Sequence, residues 1–108
     1  MKIIIAGGRK VTNQEYVNDA MSHLSVVPSE VVSGTALGAD RLGEWWAGCN
    51  EIPVKRFPAE WDRYGKSAGY KRNEQMAGYA DGLVALWDGK SRGTKHMIDI
   101  AKREGLQV

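Results

Sequence analysis

Short apolar runs alternate with amphipathic stretches along the chain. Ile3 to Ala6 is wholly apolar and mostly β-branched, as a central parallel strand buried on both faces should be. Glycines and cations follow at Gly7-Gly8-Arg9-Lys10. Thr12 and Glu15 have capping-box spacing, and Val17, Ala20, Met21 and Leu24 give the i, i+3, i+4, i+7 stripe of a helix. Glu30 to Ser33 reads as a second strand, and Leu42, Trp45, Trp46 and Cys49 as the apolar stripe of a second helix. Pro53 to Phe57 predicts a third strand, placed nearer an edge by its proline. Pro58 to Gly65 reads as a loop, and Ser67 to Tyr79 as a helix weakened by Gly69 and Gly78. Leu83 to Trp87 is the fourth strand. A helix with Thr94, Met97, Ile98 and Ala101 on one face follows it. Gly105 marks that helix's stop, and Leu106 to Val108 offers a last edge strand.

Strand-helix alternation with short turns predicts an α/β fold, a Rossmann-like three-layer domain built on a parallel sheet. The first and fourth strands are the most apolar and belong at the centre, which favours the order 3-2-1-4-5. Ligands of such sheets bind outside the carboxyl ends of the strands, at the switch point. The glycine-rich turns after strands one, two and four all fall on that edge.

The length of 108 residues fits one domain spanning 1–108. A net charge of +2 is too small to imply nucleic acid. One cysteine excludes an internal disulfide, and with two histidines beside it no transition-metal site or cofactor is expected. The opening apolar run is too short for a signal peptide, and nothing approaches the roughly 18 apolar residues of a membrane span. A soluble, cytoplasmic protein without membrane partners is therefore expected.

The chemistry concentrates in the turns. Asp88-Gly89-Lys90-Ser91-Arg92-Gly93-Thr94 puts glycines, cations and hydroxyls at a helix start just past a strand. Unpaired N–H groups and a positive partial charge attract phosphate to such a start. Gly89-Lys90-Ser91 mimics the end of a P-loop, but that motif needs glycine where Val84 stands. A polar strand-to-helix turn is the plain alternative. Gly7 and Gly8 can admit a ligand to the backbone and Arg9 can pair with phosphate, or the three form a tight turn with a solvated cation. The dinucleotide fingerprint G-x-G-x-x-G is absent. Ser33, Gly34, Thr35 and Gly38 are small or hydroxylated. Asp40 suits either a sugar hydroxyl or the helix dipole. Trp61 and Tyr64 can stack on a base or cover the sheet edge. Arg72, with Asn73 beside it, can face the site or solvent. Cys49 reads as inert on an apolar stripe.

Taken together, Ile4 to Arg9, Val32 to Leu42, Phe57 to Lys66, Arg72 to Met76 and Ala80 to Thr94 resemble the SLOG superfamily, more closely its YspA/YpsA-related branch of small proteins. The resemblance implies a Rossmann-like fold that binds a nucleotide or a nucleotide-derived ligand. Relatives of this kind sense NAD- or ADP-ribose-derived messengers, cleave nucleoside monophosphates as phosphoribohydrolases, or bind single-stranded DNA. Arg72 and Met76 match the hydrolase helix motif, with Asn73 in place of its lysine; Gly93-Thr94 matches the end of its glycine loop. Met97 stands where the hydrolase glutamate belongs. A sensor or sequestering module is therefore expected ahead of a hydrolase, with no catalytic residue assigned. Single-strand binding is the weaker alternative. A homo-oligomer, possibly a dimer, is expected from the small size, the Trp45-Trp46 pair and the habit of the family.

Overall fold

The structure is a computed structural model, and it describes residues 1–8, 11–24, 27–36, 38–87 and 89–108, with Lys66 by its backbone alone. The elements are β1 (Lys2–Gly7), α1 (Gln14–Ser22), β2 (Glu30–Ser33), α2 (Ala39–Cys49), β3 (Val54–Arg56), α3 (Trp61–Tyr64), a 3-10 turn (Gly65–Ser67), α4 (Ala68–Tyr79), β4 (Gly82–Leu86) and α5 (Arg92–Arg103). They form an α/β fold on a four-stranded, wholly parallel sheet of order β3-β2-β1-β4.

Consecutive side chains of β1 point to opposite faces, and both faces are covered. Ile4 joins the cluster made by Met76 and Ala77 of α4 and Met97, Ile100 and Ala101 of α5. Ile5 joins Val17 and Met21 of α1 and Ala39 and Ala47 of α2. This explains why the strand is apolar at every position. The helices after β1 and β2 cover one face, and those after β3 and β4 cover the other. The switch between faces falls between β1 and β4, whose ends lie side by side with Gly7 opposite Leu86.

The fifth strand of the expected order is absent among the described residues. Gly105 takes the left-handed region, with φ +79°, and turns the chain back so that it meets β4 only at its start. A single parallel bridge forms between Gln107 and Gly82. Its bonds run from Leu83 N to Gln107 O at 2.7 Å and from Gln107 N to Asp81 O at 3.2 Å.

Two local expectations also change. Helix α1 is capped by Asn13, whose side chain accepts from Glu15 N at 3.0 Å. The Thr12–Glu15 box does not form, because the helix begins one residue late for it. In α2 the buried face is Ala39, Gly43 and Ala47. Leu42 and Trp46 flank it, Trp45 is 58% exposed, and Cys49 is a free, exposed thiol rather than a residue on the buried stripe. The reason is proximity: a Cβ on Gly43 would lie 2.8 Å from Ile5 Cγ2, so only small side chains let this helix reach the sheet. Among the described residues no helix is long and apolar enough to cross a membrane, and no group of three His, Cys, Asp or Glu could hold a metal ion.

Candidate functional site

A cleft of about 630 Å³ opens beyond the carboxyl ends of β1 and β4. Its floor is Ala6, Gly7 and Gly8, continuing directly from β1. A Cβ on Gly7 would lie 2.7 Å from both Ala39 Cβ and the Leu86 carbonyl oxygen. Glycine there lets the start of α2 close against the ends of both strands. The Gly8 carbonyl accepts from Ala39 N at 3.3 Å, tying the turn after β1 to the start of α2.

One wall is the start of α2. Gly38, at φ +78°, precedes the helix and makes no side-chain capping bond. Asp40 follows in the first turn, 7% exposed and lining the cleft. Its Oδ2 accepts from Ala36 N at 3.1 Å. Burial pushes the Asp40 carboxyl up from 3.8 to about 6. The Ala36 N–H and the Arg72 guanidinium oppose that rise, and Glu44 adds slightly to it.

The opposite wall is the start of α5. Ser91 caps it, its Oγ accepting from Thr94 N at 3.4 Å and from Thr94 Oγ1 at 3.1 Å. Ser91, Gly93 and Thr94 line the cleft with Lys90. The first turn of α5 carries no acidic residue, whereas that of α2 carries Asp40. The two helix starts facing the cleft are therefore electrostatically unlike.

The third wall is the α3–α4 segment. Gly69, Arg72, Asn73 and Met76 are spaced i, i+3, i+4, i+7 and share the face of α4 that lines the cleft. Arg72 Nη1 donates to the Gly34 carbonyl at 2.5 Å and Nε to Asn73 Oδ1 at 3.0 Å. Gly34 is wedged beside this arginine: a Cβ there would lie 2.7 Å from Arg72 Nη1 and 2.9 Å from Asp40 Oδ2. Asn73 is buried, and its Nδ2 donates to the Gly93 carbonyl at 3.3 Å. Its contact of 3.1 Å with His96 Nδ1 assigns a neutral ring protonated on Nε2. Burial holds His96 below its ordinary pKa, with Glu74 opposing in part. Above these stand two half-exposed aromatics, Trp61 at 52% and Tyr70 at 44%. The Tyr70 ring leans on His96, with centroids 4.3 Å apart.

Of the residues singled out from sequence, Gly7, Gly8, Asp40, Trp61, Arg72, Asn73, Ser91, Gly93 and Thr94 line this cleft. Arg9 and Asp88 lie outside the described residues. The others stand off the lining. Ser33 is turned inward, its Oγ donating to Glu44 Oε2 at 2.6 Å and accepting from Thr35 N at 3.0 Å. Gly34 supports Arg72 from behind. Thr35 and Gly38 shape the turn before α2 through positive φ, as Gly89 does before α5 at φ +83°. Tyr64 faces the cations of Arg63 and Lys71, at 5.0 and 4.8 Å from its ring. Arg92 is exposed at the start of α5. Sequence reasoning missed Gly69, Tyr70 and Met76 as lining residues. The helical spacing from Gly69 to Met76 was the available signal for two of them. Met97, three residues past Thr94, also lines the cleft, so an apolar thioether stands where the resemblance to the hydrolases called for a carboxylate.

Residues 1–64 match the YspA, cpYpsA-related SLOG family. The Gene 61 protein of Mycobacterium phage D29 is 34% identical over 117 residues, covering 99% of this chain and 93% of that protein. No solved structure matches. With more than half of its length matched to that one family, the chain belongs to the YspA, cpYpsA-related SLOG family.

Proposed function

We propose that this chain binds a nucleotide or nucleotide-derived ligand, of the nucleoside phosphate or ADP-ribose/NAD class, as a sensor or sequestering module. The carrying observation is the cleft of about 630 Å³ at the switch point between β1 and β4, onto which the starts of α2 and α5 open. Its volume lies within the usual range of small-molecule sites, roughly 300–1,000 Å³. Phosphate belongs at α5, where Ser91, Gly93 and Thr94 begin a helix with no acidic first turn and Lys90 adds charge. Arg72 supplies a second cation. The flat faces of Trp61 and Tyr70 suit a base. Membership of the SLOG family supports the same ligand class.

Binding is favoured over hydrolysis by Met97, which gives the cleft no carboxylate at that position. Thermal shift against AMP, ADP-ribose, NAD and cyclic dinucleotides tests the reading. A binder at a hundredfold excess over Kd stabilises by about 2.7 kcal/mol, which in a domain of this size raises Tm by on the order of 10 °C. No shift with any of them rejects the proposal. Release of free adenine from AMP, followed by chromatography, would replace binding with cleavage.

A further inference from the structure

The cleft contains a carboxylate that the fold leaves half used. Asp40 is 93% buried by the complement of its 7% exposure, yet only its Oδ2 is engaged, by Ala36 N at 3.1 Å. Its Oδ1 has no hydrogen-bond partner among the described residues, and no buried side-chain polar atom there is orphaned, so Oδ1 is open to the cleft. A carboxylate oxygen in such a place accepts hydrogen bonds and repels anions. The ligand group beside it must therefore be a donor and not an anion, which in a nucleotide leaves the sugar hydroxyls and the base amino group and rules out the phosphate.

Building on the nucleotide reading above, we infer that Asp40 accepts a hydrogen bond from a ribose hydroxyl, so that the cleft selects ribonucleotides over deoxyribonucleotides. The geometry sets the ligand's direction as well. Phosphate goes to the start of α5, which lacks an acidic first turn. The sugar hydroxyls go to the start of α2, whose first turn holds Asp40. Gly34 leaves room beside Oδ2, since a Cβ there would crowd it at 2.9 Å, and the Arg72 bond to the Gly34 carbonyl fixes that arrangement. Discrimination by such a group is strong. An analogue without the hydroxyl leaves a desolvated acceptor unpaired, whereas the full ligand satisfies it.

The test is calorimetric titration of the full chain with AMP, 2′-deoxy-AMP and 3′-deoxy-AMP near neutral pH. We expect at least one deoxy analogue to bind tenfold or more weakly than AMP, and Asp40→Asn to reduce that preference to less than threefold. Asparagine keeps an acceptor for Ala36 N, so the variant should fold; if it does not, the wild-type series still decides. Equal affinity for all three nucleotides overturns the Asp40 inference and leaves nucleotide binding intact. An undiminished preference in Asp40→Asn overturns it too. Failure of all three to bind overturns the Asp40 inference for nucleoside monophosphates, and the nucleotide reading falls with it only if ADP-ribose, NAD and the cyclic dinucleotides also give no thermal shift.

Discussion

Ionising Asp40 in its buried place costs free energy, because burial raises its carboxyl to about 6 from the 3.8 of the unfolded chain. The sign follows from linkage. A group whose pKa is raised on folding favours the folded state below its unfolded pKa and loses that contribution as pH rises through the folded one. The contribution of Asp40 is therefore greatest below about pH 4 and gone above about pH 6. Asp40→Asn should be more stable than wild type near pH 8 by up to about 3 kcal/mol, at roughly 1.4 kcal/mol per pKa step. Near pH 4 the two should match. Urea denaturation at both pH values checks this, and a variant less stable than wild type near pH 8 would contradict it. A residue that lowers stability at working pH while lining a cleft is characteristic of a site shaped by function. The sequence suggested Asp40 through its place after a glycine-rich turn, but not its isolation. That depends on Gly34, Ala36 and Arg72 meeting around it, and Arg72 is far away along the chain.

At the scale of elements, α2 shows how one substitution can have opposite effects. Gly43 and Gly48 lie in the same helix. A Cβ on Gly48 meets nothing within 4 Å, so Gly48→Ala should gain about 0.5–1 kcal/mol from helix propensity alone. A Cβ on Gly43 would lie 2.8 Å from Ile5 Cγ2 and 2.9 Å from Ile5 Cβ, a stiff β-branched neighbour in the central strand. Overpacking of about 1–3 kcal/mol should outweigh the propensity gain and leave Gly43→Ala net destabilised. Chemical denaturation of both variants tests the contrast; two changes of the same sign would refute it. The same helix shows what sequence pattern conceals. Hydrophobicity singled out Leu42, Trp45, Trp46 and Cys49, but the packed face is made of small residues that carry little apolar signal. In α4 the pattern was present but weak, because Gly69, Arg72, Asn73 and Met76 share a face without sharing a chemistry. The strands were more legible: the Ile3 to Ala6 run and the Glu30 to Ser33 segment both appear in the sheet, with at most one residue added at either end of the first.

For the whole molecule, the parallel sheet and the central places of β1 and β4 were readable, since only strands covered on both faces can be apolar throughout. The missing fifth strand was not, because a three-residue segment after Gly105 says nothing of how far it runs beside β4. Nor was the inequality of the two helix starts, which appears only when α2 and α5 are brought to one cleft. That inequality has a consequence measurable without locating the ligand. A hydroxyl donated to Asp40 stabilises its charged form and lowers its pKa, so binding near pH 6 should expel a fraction of a proton. A phosphate in the same place would raise the pKa and draw a proton in. The AMP phosphate itself titrates at about pH 6, so titrations in two buffers of different ionisation enthalpy are run with AMP on wild type and on Asp40→Asn, and the difference between them reads the sign. Extra release by wild type means that the sugar faces α2, extra uptake means that the nucleotide lies reversed, and the protein thus reports its ligand's heading in its proton count.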